Sequence, residues 1–119
     1  MQKQYPLNYL KTFRERTGFL LQDMANLIGM HSGNLSKIET GSVTPSIDVM
    51  LAYHLVLKIP IERLFKNHFK ESLQELLLRS EALEQELKEE PSSKTIGKRL
   101  DLLNIIIERI KDTQLTYEN

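Results

Sequence analysis

Apolar residues recur three and four positions apart through most of the 119-residue chain and predict an all-α protein. Leu7, Leu10 and Phe13 share one face of a segment running from Pro6 to Thr17, with Gly18 just past its end, which reads as a first helix. From Phe19 to Pro45 two short helical patterns follow, Met24, Ala25 and Ile28 in one and Leu35 and Ile38 in the other. Gly29 lies between them, where the earlier helix needs a left-handed C-terminal residue. The second of this pair is expected to start near Ser32 and end before Gly41. Thr44 then offers an N-cap oxygen with Pro45 at the first helical position, opening a fourth helix to Leu57 on Ile47, Met50, Leu51 and Leu55. Pro60 opens a fifth, whose Ile61, Leu64 and Phe65 face inward. Five short helices joined by tight turns predict a compact all-α core over residues 1–65.

Beyond Phe65 the pattern changes to heptads. Phe69, Leu73, Leu76, Ser80, Leu83 and Leu87 are spaced alternately by four and three, and after a break at Pro91-Ser92-Ser93 the same spacing returns at Ile96, Leu100, Leu103, Ile107, Ile110 and Gln114. Two helices of matching length, about 30 Å each by the helical rise, predict an antiparallel hairpin over residues 66–119. Glu86, Glu89 and Glu90 near the end of one face Lys94, Lys98 and Arg99 at the start of the other, an arrangement expected to set register across the turn. The seam leaves Leu77, Leu78, Leu102, Ile105 and Ile106 outside it, more apolar surface than a soluble monomer ordinarily exposes. Two hairpins meeting in a homodimer would cover it. The expected dimerisation residues are Leu73, Leu76, Leu83, Leu87, Leu100, Leu103, Ile106, Ile107 and Ile110.

The pair of short helices around Gly29 reads as a helix-turn-helix. Ala25 is small where the two would cross closely, and Ser32, Gly33, Asn34, Ser36 and Lys37 are left on the outer side of the second helix. Such a short, donor-bearing face is one a DNA major groove admits. Lysine can donate to guanine O6 and N7, and serine can serve several bases. Asn34 and Ser36 are further candidates for phosphate or base contacts. Thr40, Gly41 and Ser42 form a turn whose backbone amides are candidates to hold a phosphate.

The residues from Leu7 to Phe65 resemble the phage-repressor-like helix-turn-helix domains of bacterial transcriptional regulators, the XRE or Cro/C1 type. The resemblance is carried by Arg14, the pair Met24-Ala25, Gly29, the string Leu35-Ser36-Lys37-Ile38-Glu39-Thr40-Gly41, Pro45, and Leu57, Ile59, Ile61 and Leu64. It implies a partly buried ion pair between Arg14 and Glu39 that orients the recognition helix, and it places Ser32, Gly33 and Lys37 at base edges. The chain departs from the family pattern twice. Leu21 stands where a phosphate-binding glutamine is common, with Gln22 one place later as its substitute, and His31 stands where a serine or threonine usually caps the recognition helix.

Charge alters this picture little. Formal net charge is zero, but residues 1–65 hold seven basic and five acidic side chains, net +2, and the remainder is net −2. The slight excess accompanies the expected reading domain. Without cysteine the chain has neither disulfides nor thiolate metal sites. His31, His54 and His68 lack metal-ligand spacing, and no glycine-rich phosphate loop or nucleophile motif is present, so neither an enzyme nor a cofactor is expected. No signal-like start and no run of about 18 apolar residues is found, so the expectation is a cytoplasmic protein not associated with a membrane. The expected partner is double-stranded DNA, bound by a homodimer. An alternative is a protein partner held by the C-terminal helices, as in antitoxins that share this type of domain.

Overall fold

The computed structural model describes residues 7–117, and these are helical without any strand. The order is α1 (Leu10–Arg16), α2 (Leu21–Ile28), α3 (Ser32–Glu39), α4 (Ile47–Leu57), α5 (Ile61–Leu64), α6 (Lys66–Lys88) and α7 (Lys94–Tyr117). The chain forms two compact units that divide between Phe69 and Lys70, inside α6.

In the first unit Leu10, Met24, Ala25, Leu35, Ile38, Val49, Tyr53 and Leu64 are buried together, and Phe13, Phe19, Ile28, Leu57 and Phe65 pack around them. The apolar pattern places the start of the first helix at Pro6, which lies outside the described residues; among those described, Leu7 to Tyr9 are not helical and α1 starts at Leu10. Asn8 explains the delay. Its Oδ1 accepts from the Leu10 amide at 3.0 Å while its Nδ2 donates to the Ile38 carbonyl at 3.0 Å, anchoring the incoming chain to α3 in a non-helical conformation.

Helix α4 also differs from its expected reading. Ser46, not Thr44, caps it, accepting from the Val49 amide at 3.3 Å, so the helix opens at Ile47 and Pro45 lies ahead of it. Its buried residues are Val49 and Tyr53, whereas Ile47 is 68% exposed and Leu55 73%. Nearly every residue of α4 is apolar, so a three-and-four spacing can be drawn on more than one side and the pattern does not mark the inner face. The helix ends on Lys58 with φ 59° and ψ 41°, a left-handed conformation. Across this turn His54 Nδ1 lies 2.7 Å from the Ile59 carbonyl oxygen and donates to it.

In the second unit α6 and α7 pack as a hairpin, joined through residues 89–93, with Ser93 Oγ accepting from the Ile96 amide at 3.1 Å to start α7. Leu73, Leu87, Leu103, Ile107 and Ile110 are buried. The α6 seam runs from Leu73 through half-buried Leu77, Ser80 and Glu84 to Leu87. Leu76 and Leu83, expected in it, are 51% and 39% exposed. Both routes from Leu73 to Leu87 obey the same alternating spacing, and spacing alone does not choose between them. Among the described residues no ion pair joins Glu86, Glu89 or Glu90 to Lys94, Lys98 or Arg99. Glu84 with Lys88 and Glu75 with Arg79 pair within α6 instead, one turn apart. Among the described residues no helix is long and apolar enough to cross a membrane.

Candidate nucleic-acid interface

The α2–α3 unit turns on Gly29, which adopts φ +83°. The Gly29 and Met30 amides both donate to the Ala25 carbonyl, at 2.8 and 3.0 Å, closing the end of α2 before the chain reverses. Ala25 is fully buried, and a larger side chain there would separate the two helices. At the start of α3, His31 is the N-cap residue without a side-chain cap. Its carbonyl accepts from the Asn34 and Leu35 amides, both at 3.1 Å.

Leu35, Ile38 and Glu39 turn α3 inward, which leaves Gly33, Asn34 and Lys37 exposed and Ser32 and Ser36 half-buried. Gln22, His31 and Ser32 come together around one open cleft of about 370 Å³ between α2 and α3. Asn26 lines it too and was not anticipated. Gln22 Nε2 donates to Asn26 Oδ1 at 2.8 Å, a contact that the four-residue spacing on α2 permits.

Thr40 and Ser42 are exposed at the other end of α3, but the backbone of their turn is not free to hold a phosphate. The Thr40, Gly41 and Ser42 amides donate to the Ser36, Ile38 and Lys37 carbonyls at 3.0, 3.1 and 2.9 Å. Closing the C-terminus of α3 uses all three donors, so only hydroxyls remain, and Thr40 Oγ1 already reaches the Lys37 carbonyl at 3.2 Å.

Beneath this face lies a buried polar network. Arg14 Nε and Nη2 donate to Glu39 Oε2 and Oε1 at 2.8 and 2.9 Å, a two-pronged pair, and Nη1 donates to the Phe19 carbonyl at 2.8 Å. The Tyr53 hydroxyl donates to Glu39 Oε2 at 2.5 Å. One carboxylate therefore ties the end of α3 to α1 and α4, and the same arginine holds the residue that leads into α2. Hydrogen bonding to Glu39 raises the Arg14 pKa. Burial, followed by the bond to Glu39, raises that of Tyr53. Neither group changes charge near neutrality.

A small helix pair with a glycine turn, a close alanine contact and a polar outward face defines a helix-turn-helix domain. Residues 8–59 match the family model described as a helix-turn-helix domain, the kind of domain that characterises DNA-binding regulators. No match to a curated protein or to a solved structure adds to this.

Proposed function

We propose that the protein is a sequence-specific regulator of transcription, a repressor, that binds double-stranded DNA as a homodimer with α3 in the major groove. The observation that carries this reading is the exposed polar row of α3 on a helix fixed from behind by Arg14, Glu39 and Tyr53. Lys37 is the principal base-reading side chain, with Ser32 at a second base edge and Gly33 allowing close approach. Gln22, His31, Asn34, Ser36, Thr40 and Ser42 contact phosphate or flanking bases through their side chains. It acts in the cytoplasm and needs no cofactor.

Residues 1–65 read DNA and residues 66–119 dimerise. Leu73, Leu87, Leu103, Ile107 and Ile110 are already covered within the chain, so they support the interface by holding the hairpin together. The surface left for a second copy is Leu76 and Leu83 on one flank of α6, with Leu102, Ile105 and half-buried Ile106 on α7. Helical phase sets Leu76, Leu83, Leu102 and Ile106 on the same side of an antiparallel pair. Two readers so joined would address half-sites about 34 Å apart or a multiple of that, on an inverted repeat.

Selection of duplexes from a random pool, with sedimentation of the free protein, tests this. Enrichment of an inverted repeat and a dimer at micromolar concentration are expected. No enrichment, together with a stable complex with a different protein, would overturn the reading in favour of a partner-binding role for the hairpin.

A further inference from the structure

A second cationic feature lies apart from the α2–α3 face and shares no residue with it. Phe13 on α1 is half-buried, and the guanidinium carbons of Arg16 and Arg63 sit 5.1 and 5.2 Å from its ring centroid. Both guanidinium groups are thus within about 10 Å of each other, roughly one Debye length at 0.1 M salt. Lys66 joins them, and with Tyr9 and Thr12 these residues line an open cleft of about 210 Å³. Among the described residues no carboxylate lines it and none forms an ion pair with Arg16, Arg63 or Lys66. The ring offers each guanidinium a cation–π contact, but the like charges around it still repel. An anion in the cleft would remove that repulsion.

The lining also selects the anion. Arginine forks match the oxygens of phosphate two at a time. The Tyr9 hydroxyl oxygen accepts from Asn67 Nδ2 at 3.0 Å, which leaves its proton available to a ligand. The volume is below the roughly 300–1,000 Å³ typical of drug-sized ligands, so it suits a compact charged group. We propose that this cleft between α1 and α5 binds a phosphate group, carried by a small phosphorylated molecule or by a nucleic-acid backbone. The site does not depend on the role given to α3.

The test titrates the full-length protein with inorganic pyrophosphate against chloride of equal ionic strength, following the arginine Nε–Hε resonances. Saturable shifts at Arg16 and Arg63 that exceed those at Arg79, Arg99 and Arg109 are expected, with affinity falling at least tenfold in the Arg16→Gln/Arg63→Gln variant. Because both arginines are exposed, that variant should keep its thermal midpoint. Arg16→Lys/Arg63→Lys retains the charges and is expected to weaken binding less. The glutamine variant is also titrated with a random-sequence duplex at several salt concentrations. Selective pyrophosphate shifts with an unchanged salt slope identify a small molecule as the source of the phosphate. A slope shallower by about two units identifies the duplex backbone. Unselective shifts together with an unchanged slope would overturn the proposal.

Discussion

The Tyr53 hydroxyl donates a 2.5 Å hydrogen bond to Glu39 Oε2 from a side chain that is completely buried, joining α4 to the last residue of α3. Glu39 Oε2 also accepts from Arg14, so the oxygen has two charge-assisted donors on a side chain only 2% exposed. Tyr53→Phe keeps the ring packing and deletes one of them. Hydrogen bonds to charged groups contribute about 1.5–3 kcal/mol, and a loss of that size is expected in urea unfolding. DNA affinity should fall as well, because the end of α3 loses one of its anchors.

The same tyrosine confers an alkaline limit on stability. Its pKa lies above the ordinary tyrosine value of about 10 in the folded protein, chiefly through burial. Below pH 10 the hydroxyl is protonated in both states and contributes no pH dependence. Above it the unfolded chain loses the proton while the folded one keeps it, so stability declines by up to about 1.4 kcal/mol per pH unit. Unfolding measured between pH 9 and 11.5 should show this decline, and Tyr53→Phe should flatten it.

Arg14→Ala is expected to be more damaging than Tyr53→Phe. It strips both prongs from a buried carboxylate and leaves the Phe19 carbonyl without its donor. Breaking a buried pair from one side typically costs about 3–5 kcal/mol, even where the intact pair contributes little net stability. Pairing it with Glu39→Gln should recover part of the loss, since no buried charge then remains. Chemical denaturation of the three variants checks both statements.

Much of the fold was legible because its boundaries are chemically marked. Gly29, Pro60 and the Pro91-Ser92-Ser93 break each end or open a helix for a local reason. Faces were harder. Ile47, Leu51 and Leu55 make as regular a row as Val49 and Tyr53, and only packing against α1 and α2 decides which is buried. Leu76 and Leu77 pose the same ambiguity in α6. Contacts distant in sequence were the least legible. Resemblance suggested that Arg14 and Glu39, 25 residues apart, would meet, but nothing local points Tyr53 at Glu39 or Arg63 at Phe13.

Lys58 offers a stabilising change. Its left-handed φ of 59° costs a non-glycine residue about 1–2 kcal/mol. The His54 bond to the Ile59 carbonyl spans this turn and helps to hold its conformation. Lys58→Gly should therefore relieve strain in a conformation the turn already adopts, and the gain is partly offset by greater freedom of the unfolded chain. A net stabilisation of about 0.5–1 kcal/mol is expected, read as a rise of a few degrees in the thermal midpoint.

Lys37 separates reading of bases from attachment to the backbone. It is the one basic side chain on α3, is exposed, and is not ion-paired among the described residues. If it donates to a guanine, Lys37→Ala should cost about 1–3 kcal/mol on the selected duplex and relax preference at one base pair in each half-site. Binding to random duplex should then change little. If it meets a phosphate instead, affinity should fall by a similar factor on every sequence, with the salt slope shallower by about one unit. The expected outcome is the first, and comparing the two duplexes at two salt concentrations distinguishes them.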